Sequence, residues 1–281
     1  MNNYSDFSTF PTIQLENHRL PNGSIYTGEA KNISGELILI QGNGRAINPD
    51  GSNFEGEWKY GRPYGYGKHT FADGDFHIGF FDDKPNGPGC LILNTIDAMN
   101  AGFFLDGEMN GWAIALTPDG GFDCSYVEDG YILENHTDDF RWMNRILFTS
   151  VFDTYTRIGT YKGGVIQSSA KNGHVRFGAP NRIVTKRCGE KYQRHAIGYL
   201  FSTDGNLYIG LIKDHKNLNG YCVVCTPDHR IISGKWENNV LVEELSLLDV
   251  EMRTEELLEL EQYSNIITEA PTLKSDDYLP F

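Results

Sequence analysis

The chain lacks several features that would assign it to familiar classes of protein. No apolar run approaches the ~20 residues of a membrane-spanning helix, and the start, Met1–Asp6, lacks the basic and apolar stretches of a secretory signal. Positive charge is scarce, because the formal net charge is −14 over 281 residues, which excludes nucleic acid as the expected partner. The five cysteines show no paired spacing, which is typical of reduced thiols. These absences predict a cytoplasmic protein.

Motifs for catalysis or cofactor binding are also missing. No Gly-x-Ser-x-Gly or His-Glu-x-x-His pattern occurs. Cys222 and Cys225 lie three residues apart on a predicted strand, which sends their thiols to opposite faces and argues against zinc. Gly-x-Gly pairs begin at Gly42, Gly65 and Gly87, but no strand–helix context for a nucleotide accompanies them. We therefore predict no catalytic residue, no metal and no cofactor.

The strongest positive feature is a repeat of 23 residues. Gly56, Gly79 and Gly102 follow one another at this spacing, and the next step lands on Ser125. An Asp-Gly or Asn-Gly pair, typical of tight hairpin turns, precedes several of the units, and a Gly-x-Gly pair often follows. The pattern predicts stacked antiparallel β-hairpins, each of which buries its apolar face against its neighbours.

Aromatic residues flank the repeated glycine at two residues before and two after it. Side chains alternate along a strand, so the two rings and the glycine share one face, and the glycine leaves a notch for a neighbouring ring. Ring pairs of this kind contribute about 0.5–1.5 kcal/mol beyond buried area. The positions predicted to build this structure are Tyr26, Gly28, Phe54, Gly56, Trp58, Gly79, Phe81, Gly102, Phe104, Tyr208, Gly210, Gly234 and Trp236.

The pattern Tyr/Phe-x-Gly-x-Trp/Phe followed by Gly-x-Gly resembles the MORN repeat. Four or five units between Gly23 and Val127 and two more between Gly205 and Asn239 carry the resemblance, over roughly half the chain. It departs from the pattern where His77 and Asn100 fill the aromatic position and where Ser125 and His229 replace glycines. The resemblance implies a curved single-layer sheet of hairpins, in a scaffold or adaptor that often acts at the cytoskeleton or at membranes.

Two segments with helical spacing interrupt this mainly β array. One lies within Thr137–Tyr155 and the other within Val242–Tyr263, which is rich in Glu and Leu. We accordingly expect a helical insert and a C-terminal helix. The predicted organisation is an N-terminal segment (1–20), MORN-like repeats (21–132), the helical insert (133–158), degenerate then clearer repeats (159–240), the acidic C-terminal helix (241–263) and a tail (264–281).

These predictions favour a non-catalytic scaffold or adaptor that binds a partner protein. The second face of the sheet would supply a groove lined by Tyr64, Tyr66, Phe80 and Trp112. The acidic C-terminal helix would either cap the array or bind a partner. The oligomeric state stays open.

Two other classes of function also stay open. One is peripheral binding to membrane phospholipid such as phosphoinositides, for which the cluster Lys186, Arg187, Lys191 and Arg194 is the main basic feature. The other is an enzyme with its site in the degenerate segment 159–200.

Overall fold

The computed structural model describes most of the repeats, a short 3-10 helix, a helical turn and the C-terminal helix. The described residues are 7–35, 37–96, 98–116, 122–140, 142, 165–169, 174–188, 191–202, 204–213 and 217–263. The predicted helical insert is described only as β11, a helical turn at residues 137–140, and residue 142. The predicted tail, 264–281, lies outside the described residues.

The first sheet contains eleven antiparallel strands whose spatial order is their order in the chain. This arrangement confirms the predicted array of antiparallel hairpins in an open, mainly β protein. A short 3-10 helix, Phe7–Thr9, precedes it. The strands are β1 (Thr12–Arg19), β2 (Ile25–Asn32), β3 (Ile38–Ile47), β4 (Asn53–Lys59), β5 (Arg62–Thr70), β6 (Phe76–Asp82), β7 (Lys84–Leu93), β8 (Ala98–Leu105), β9 (Glu108–Leu116), β10 (Phe122–Glu128) and β11 (Tyr131–Asn135).

The second sheet contains seven antiparallel strands, again in chain order, and is followed by the C-terminal helix, Leu247–Tyr263. Its strands are β12 (Val165–Ser169), β13 (His174–Cys188), β14 (Lys191–Ser202), β15 (Leu207–Lys213), β16 (Asn217–Cys225), β17 (Ile231–Glu237) and β18 (Val240–Glu244).

The register of the first sheet explains the 23-residue period. One period spans two strands, so equivalent residues fall on β4, β6, β8 and β10. Glycines then lie opposite one another across seven consecutive strands, in the order Gly28, Gly44, Gly56, Gly67, Gly79, Gly89 and Gly102. Ala113 and Ser125 continue this row on β9 and β10. The glycine row is the line along which adjacent backbones approach most closely.

The two sheets pack against each other, so the centre of the molecule is two layers deep. We call the face of the first sheet that carries Phe54 and Trp58 the ladder face, and the opposite face the reverse face. Reverse-face residues of β6 to β9 share one buried cluster with residues of the second sheet. The rings of Phe103 and Phe201 meet across it with centroids 5.5 Å apart. The hairpin array is the predicted open sheet, and the second sheet covers part of its reverse face.

The C-terminal helix folds back onto the second sheet. Ser246 begins it, because its Oγ accepts a hydrogen bond from the backbone N–H of Asp249 at 3.1 Å. Val250 and Thr254 are fully buried, and the helix contacts β16 and β17. Its start differs from the prediction, since residues 240–244 form a strand that follows a turn at Asn238-Asn239 with φ of 50° and 68°. Two consecutive residues at positive φ are typical of a type I′ hairpin turn.

Candidate functional site: the two faces of the first sheet

The ladder face holds a continuous chain of aromatic rings. Each ring meets the next edge-on, with centroids 4.6–5.4 Å apart and planes 76–88° apart. In order of contact the rings are Tyr26, Trp58, Phe54, Phe81, His77 and Phe104. All six are less than a tenth exposed, which leaves little of this ladder open to a partner.

The ladder rings occupy the notches that glycines leave on neighbouring strands. A Cβ built on Gly67 would lie 2.4 Å from Cζ of Phe54, and one on Gly44 would lie 2.2 Å from the hydroxyl of Tyr26. Real Cβ atoms do not approach other atoms so closely, so each notch admits only glycine. The glycines that the repeat pattern singled out are therefore needed for packing as well as for turns.

Tryptophan at the position two residues after the central glycine forms a second link between strands. The indole N–H of Trp58 donates to the carbonyl of Gly44 at 2.9 Å, and that of Trp236 donates to the carbonyl of Cys222 at 3.1 Å. In both sheets the acceptor lies 14 residues before the tryptophan. Sequence reasoning missed these bonds, although the shared offset within two distant repeats was a usable signal.

His77 is the exception within the ladder. It is 1% exposed, and its Nε2 has no hydrogen-bond partner. Burial, together with the neighbouring His69, lowers the pKa of His77 to about 3. The imidazole is therefore neutral at physiological pH and acts as a ring of the ladder.

The four predicted groove residues do not line one open surface. Trp112 is 0% and Tyr66 is 5% exposed, and both belong to the core between the sheets. Phe80 is partly buried against the same core. Only Tyr64 is open to solvent, at 39% exposure. The groove prediction is corrected for the buried residues, because the second sheet covers that part of the reverse face.

Polar contacts join the turn between β16 and β17 of the second sheet to β9 and β10 of the first. The indole of Trp112 donates to the carbonyl of Thr226 at 2.9 Å, and the hydroxyl of Tyr126 donates to the carbonyl of Pro227 at 3.1 Å. His229 stacks on Tyr126 with centroids 3.8 Å apart. These residues are 101 or more positions apart in sequence, so the repeat pattern contains no signal for the contacts.

A β-bulge follows the central glycine of each early repeat. The register between the paired strands shifts after Gly28, Gly56, Gly79 and Gly102. The residues that follow these glycines are, in the same order, Glu29, Glu57, Phe80 and Phe103. Each of these side chains lies over a glycine of the next strand: Gly42, Gly65, Gly87 and Gly111, respectively. The first three of these glycines begin a Gly-x-Gly pair, whereas Gly111 is followed two residues later by Ala113. The bulge residue is therefore glutamate in the first two units and phenylalanine in the next two.

This change of residue type marks the boundary between two halves of the reverse face. Phe80 and Phe103 pack with the core between the sheets, whereas the carboxylate of Glu29 accepts from the backbone N–H of Asn43 at 2.8 Å. That of Glu57 accepts from Tyr66 N–H at 3.3 Å. The phenylalanines thus make one half of the reverse face apolar and suited to burial, whereas the glutamates keep the other half polar.

The polar half carries a row of opposite charges. Thr27, Arg45, Glu55 and Lys68 lie opposite one another on β2 to β5, and Ile78 follows on β6. Burial lowers the pKa of Lys68, whose ammonium lies 4.1 Å from the centre of the Phe76 ring. We call the reverse face of β2–β4, together with Tyr64 and Lys68 of β5, the open face.

The cysteines, possible metal ligands and helices are the remaining features that bear on a functional site. Cys222 and Cys225 are both buried, and none of the four cysteines whose side chains are described forms a disulfide. Within the described part of the chain, no three His, Cys, Asp or Glu side chains are grouped to hold a metal ion. Among the helices that the structure describes, none is long and apolar enough to cross a bilayer.

The basic cluster falls on one hairpin of the second sheet. The pairing of Lys186 with Gln193, Arg187 with Tyr192 and Cys188 with Lys191 places it at the end where β13 turns into β14. The segment 159–200, where an enzymatic site was the alternative, has almost all of its side chains outside the described residues.

Comparison with known proteins identifies one repeat unit. Residues 54–76 match the family model of the MORN repeat. The matched segment covers β4, β5 and the first residue of β6, which is one 23-residue period. No curated protein matches the chain. MORN repeats are interaction modules for proteins or membranes and are generally not catalytic.

Proposed function

From the MORN repeat at residues 54–76, we propose that this protein is a non-catalytic scaffold that binds a partner protein on its open face. A cytoplasmic location is part of the proposal, and the four buried cysteines, none of which is in a disulfide, fit a reducing compartment. The observation that best supports the proposal is that the second sheet covers only one half of the reverse face.

Charge and packing distinguish the two halves. Arg45, Glu55 and Lys68 alternate in sign on the open half, at the positions where the covered half has Ile78, Cys90 and Ala101 in the same cross-strand row. A surface of alternating charge favours one partner and one orientation, because a mismatched partner would place like charges together.

Tyr64 is the expected anchor of the interface. Its ring is 39% exposed, and the ammonium of Lys59 lies 4.3 Å from the ring centre. Exposed tyrosines beside a cation are typical of interface hot spots, since the ring supplies apolar area with few rotatable bonds. The C-terminal helix offers a second contact, because Leu248 and Met252 are 62% and 46% exposed, one turn apart.

The test is quantitative affinity purification with the full chain. Partners that depend on the open face are expected to fall about tenfold or more with Tyr64→Ala. The matched control is Leu105→Ala, which removes a side chain that is 50% exposed at the turn between β8 and β9. An unchanged partner list with Tyr64→Ala, or an equal loss with both variants, would contradict the proposal.

A second candidate function is binding to anionic phospholipid. The observation that favours it is the convergence of Lys186, Arg187 and Lys191 at one hairpin end. Flotation with vesicles containing a phosphoinositide tests it: salt-sensitive flotation that is lost with Lys186→Glu/Arg187→Glu supports membrane binding. Absence of flotation at low salt removes this candidate.

A further inference from the structure

The last strand of the first sheet, β11, presents an unusually apolar edge. All five of its residues are exposed, and Tyr131, Ile132 and Leu133 are exposed by 78%, 58% and 53%. In the described sheet β11 pairs with β10 only, so its other side is an edge. Soluble proteins usually protect such edges, because the unpaired N–H and C=O groups are a template for another strand.

A cleft of about 320 Å³ adjoins this edge on the ladder face. It is lined by Asn100, Asp123, Ser125, Ala113 and Ile132, among others. It lies where the aromatic ladder ends, because Asn100 and Asp123 stand at the positions that Phe54 and His77 fill in the preceding units. The cleft therefore lies at a position where the repeat pattern would place a ring of the aromatic ladder, and where Asn100 and Asp123 stand instead.

The strands that form the cleft are acidic. From Pro85 to Asn135 the sequence contains eight acidic residues and no Lys, Arg or His. Glu108 lines the cleft itself, and Glu128 and Asp129 end the strand beside β11. A second copy of this acidic edge would be repelled, whereas a basic segment would be attracted and held in register.

We propose that β11 and the adjoining cleft bind an extended, basic segment of a partner protein, which adds to the sheet as a twelfth strand and inserts an aromatic side chain into the cleft. Backbone hydrogen bonds to β11 hold the segment, its lysine or arginine residues face the acidic rim, and the inserted ring takes the next position in the ladder. The inference rests on the proposed scaffold function and assigns it a second surface, separate from the open face.

The edge of the second sheet, β18, is a natural comparison. It also exposes apolar side chains, with Val240 at 61% and Val242 at 49%. Its neighbour β17 carries a cation, however, and Lys235 lies 3.8 Å from Glu237. Neither β10 nor β11 contains a Lys or Arg, and the basic side chains paired with Glu134 of β11 are His136 and His229. Because β17 carries Lys235 beside its edge, Val242→Lys is a matched control for Ile132→Lys.

The test measures binding of a short fluorescent peptide in which Lys alternates with Val around one central Tyr. The control peptide has the same sequence but is N-methylated at alternate residues, so it keeps the charge and loses hydrogen-bond donors. Fluorescence anisotropy is expected to show binding of the first peptide that weakens about tenfold with Ile132→Lys and is unchanged with Val242→Lys. Glu108→Gln, which leaves the edge intact, is expected to reduce the salt dependence of binding. Hydrogen exchange is expected to show new protection of residues 131–135 when the peptide binds.

Several outcomes would overturn the inference. If the methylated peptide bound as tightly as the unmethylated one, or if Ile132→Lys bound the peptide as tightly as the wild type, the peptide would be attracted only by the overall negative charge of the protein. Protection of β11 amides in the free protein would mean that another segment of this chain occupies the edge. Self-association that Ile132→Lys abolishes would identify a second copy as the occupant. Tyr64→Ala is expected to leave peptide binding unchanged, so failure at the edge and failure at the open face are distinguishable.

Discussion

Replacing His77 by phenylalanine is expected to stabilise the protein, and to do so by a larger amount in acid. The ladder already shows that a phenyl ring fits. Nε2 of His77 lies 2.5 Å from a Cβ built on Gly89, and Cζ of Phe54 lies 2.4 Å from one built on Gly67, so the two notches have the same depth. Phe81 flanks both rings, at 5.2 Å from His77 and 4.9 Å from Phe54.

The gain near neutral pH comes from removal of a buried polar atom. Nε2 of His77 has no hydrogen-bond partner, and an unsatisfied buried group of this kind costs about 1–3 kcal/mol. His77→Phe is therefore expected to raise the free energy of unfolding by about 1–3 kcal/mol at neutral pH.

The gain in acid follows from the lowered pKa of His77. Between its ordinary value of 6.5 and about 3, the unfolded chain binds a proton at this residue and the folded chain does not. Stability therefore falls as the pH decreases through this window, by about 1.4 kcal/mol per pH unit. At a pH two units below the ordinary value, the wild type has lost about 3 kcal/mol at this residue, and His77→Phe loses none of it.

The assay is denaturant unfolding followed by tryptophan fluorescence, at neutral pH and near pH 4.5. The difference in unfolding free energy between His77→Phe and wild type is expected to widen by about 3 kcal/mol on acidification. Phe54→His is the matched control, because it should create the same buried imidazole and make the protein more sensitive to acid. A difference that is the same at both pH values would refute the reasoning, as would destabilisation by His77→Phe.

Two other substitutions probe the glycine notches and the contact between the sheets. Gly67→Ala is expected to cost about 3 kcal/mol, because its methyl group would lie 2.4 Å from Phe54. The methyl group of Gly74→Ala meets no atom within 4 Å, so this variant should lose only about 1 kcal/mol, because of its φ of +93°. Equal shifts of the denaturation midpoint in the two variants would contradict the claim that the notch at Gly67 admits only glycine. Trp112→Phe leaves the carbonyl of Thr226 without its indole donor, and calorimetry should show a loss of about 1–3 kcal/mol. An unchanged melting temperature would show that this bond does not fasten the sheets.

Much of the hairpin array was predictable from local rules. The spacing of Gly56, Gly79 and Gly102 gives the strand pairing directly, because one period covers two antiparallel strands. The match of residues 54–76 to the MORN repeat confirms the resemblance read from the same pattern. The start of the C-terminal helix was misplaced because helical spacing from Val242 onward was given more weight than the Asn238-Asn239 turn before it.

The exposure of the predicted groove residues could not be predicted from local sequence patterns. Tyr66 and Trp112 have the spacing of surface aromatics on a second face, and nothing within their own repeats shows what covers them. One signal was present, in the residue after each central glycine. Glutamate at 29 and 57 and phenylalanine at 80 and 103 would have divided the reverse face into an open and a covered half.

By itself, then, the sequence determined which residues form strands, which glycines face rings, and that the units stack in chain order, because each of these depends on neighbours within about one period. Only the tertiary structure decided which half of the reverse face is covered. That outcome depends on contacts such as Trp112 with Thr226 and Phe103 with Phe201, which join residues about a hundred positions apart. It also left Tyr64 and the side chains of the edge strand β11 exposed.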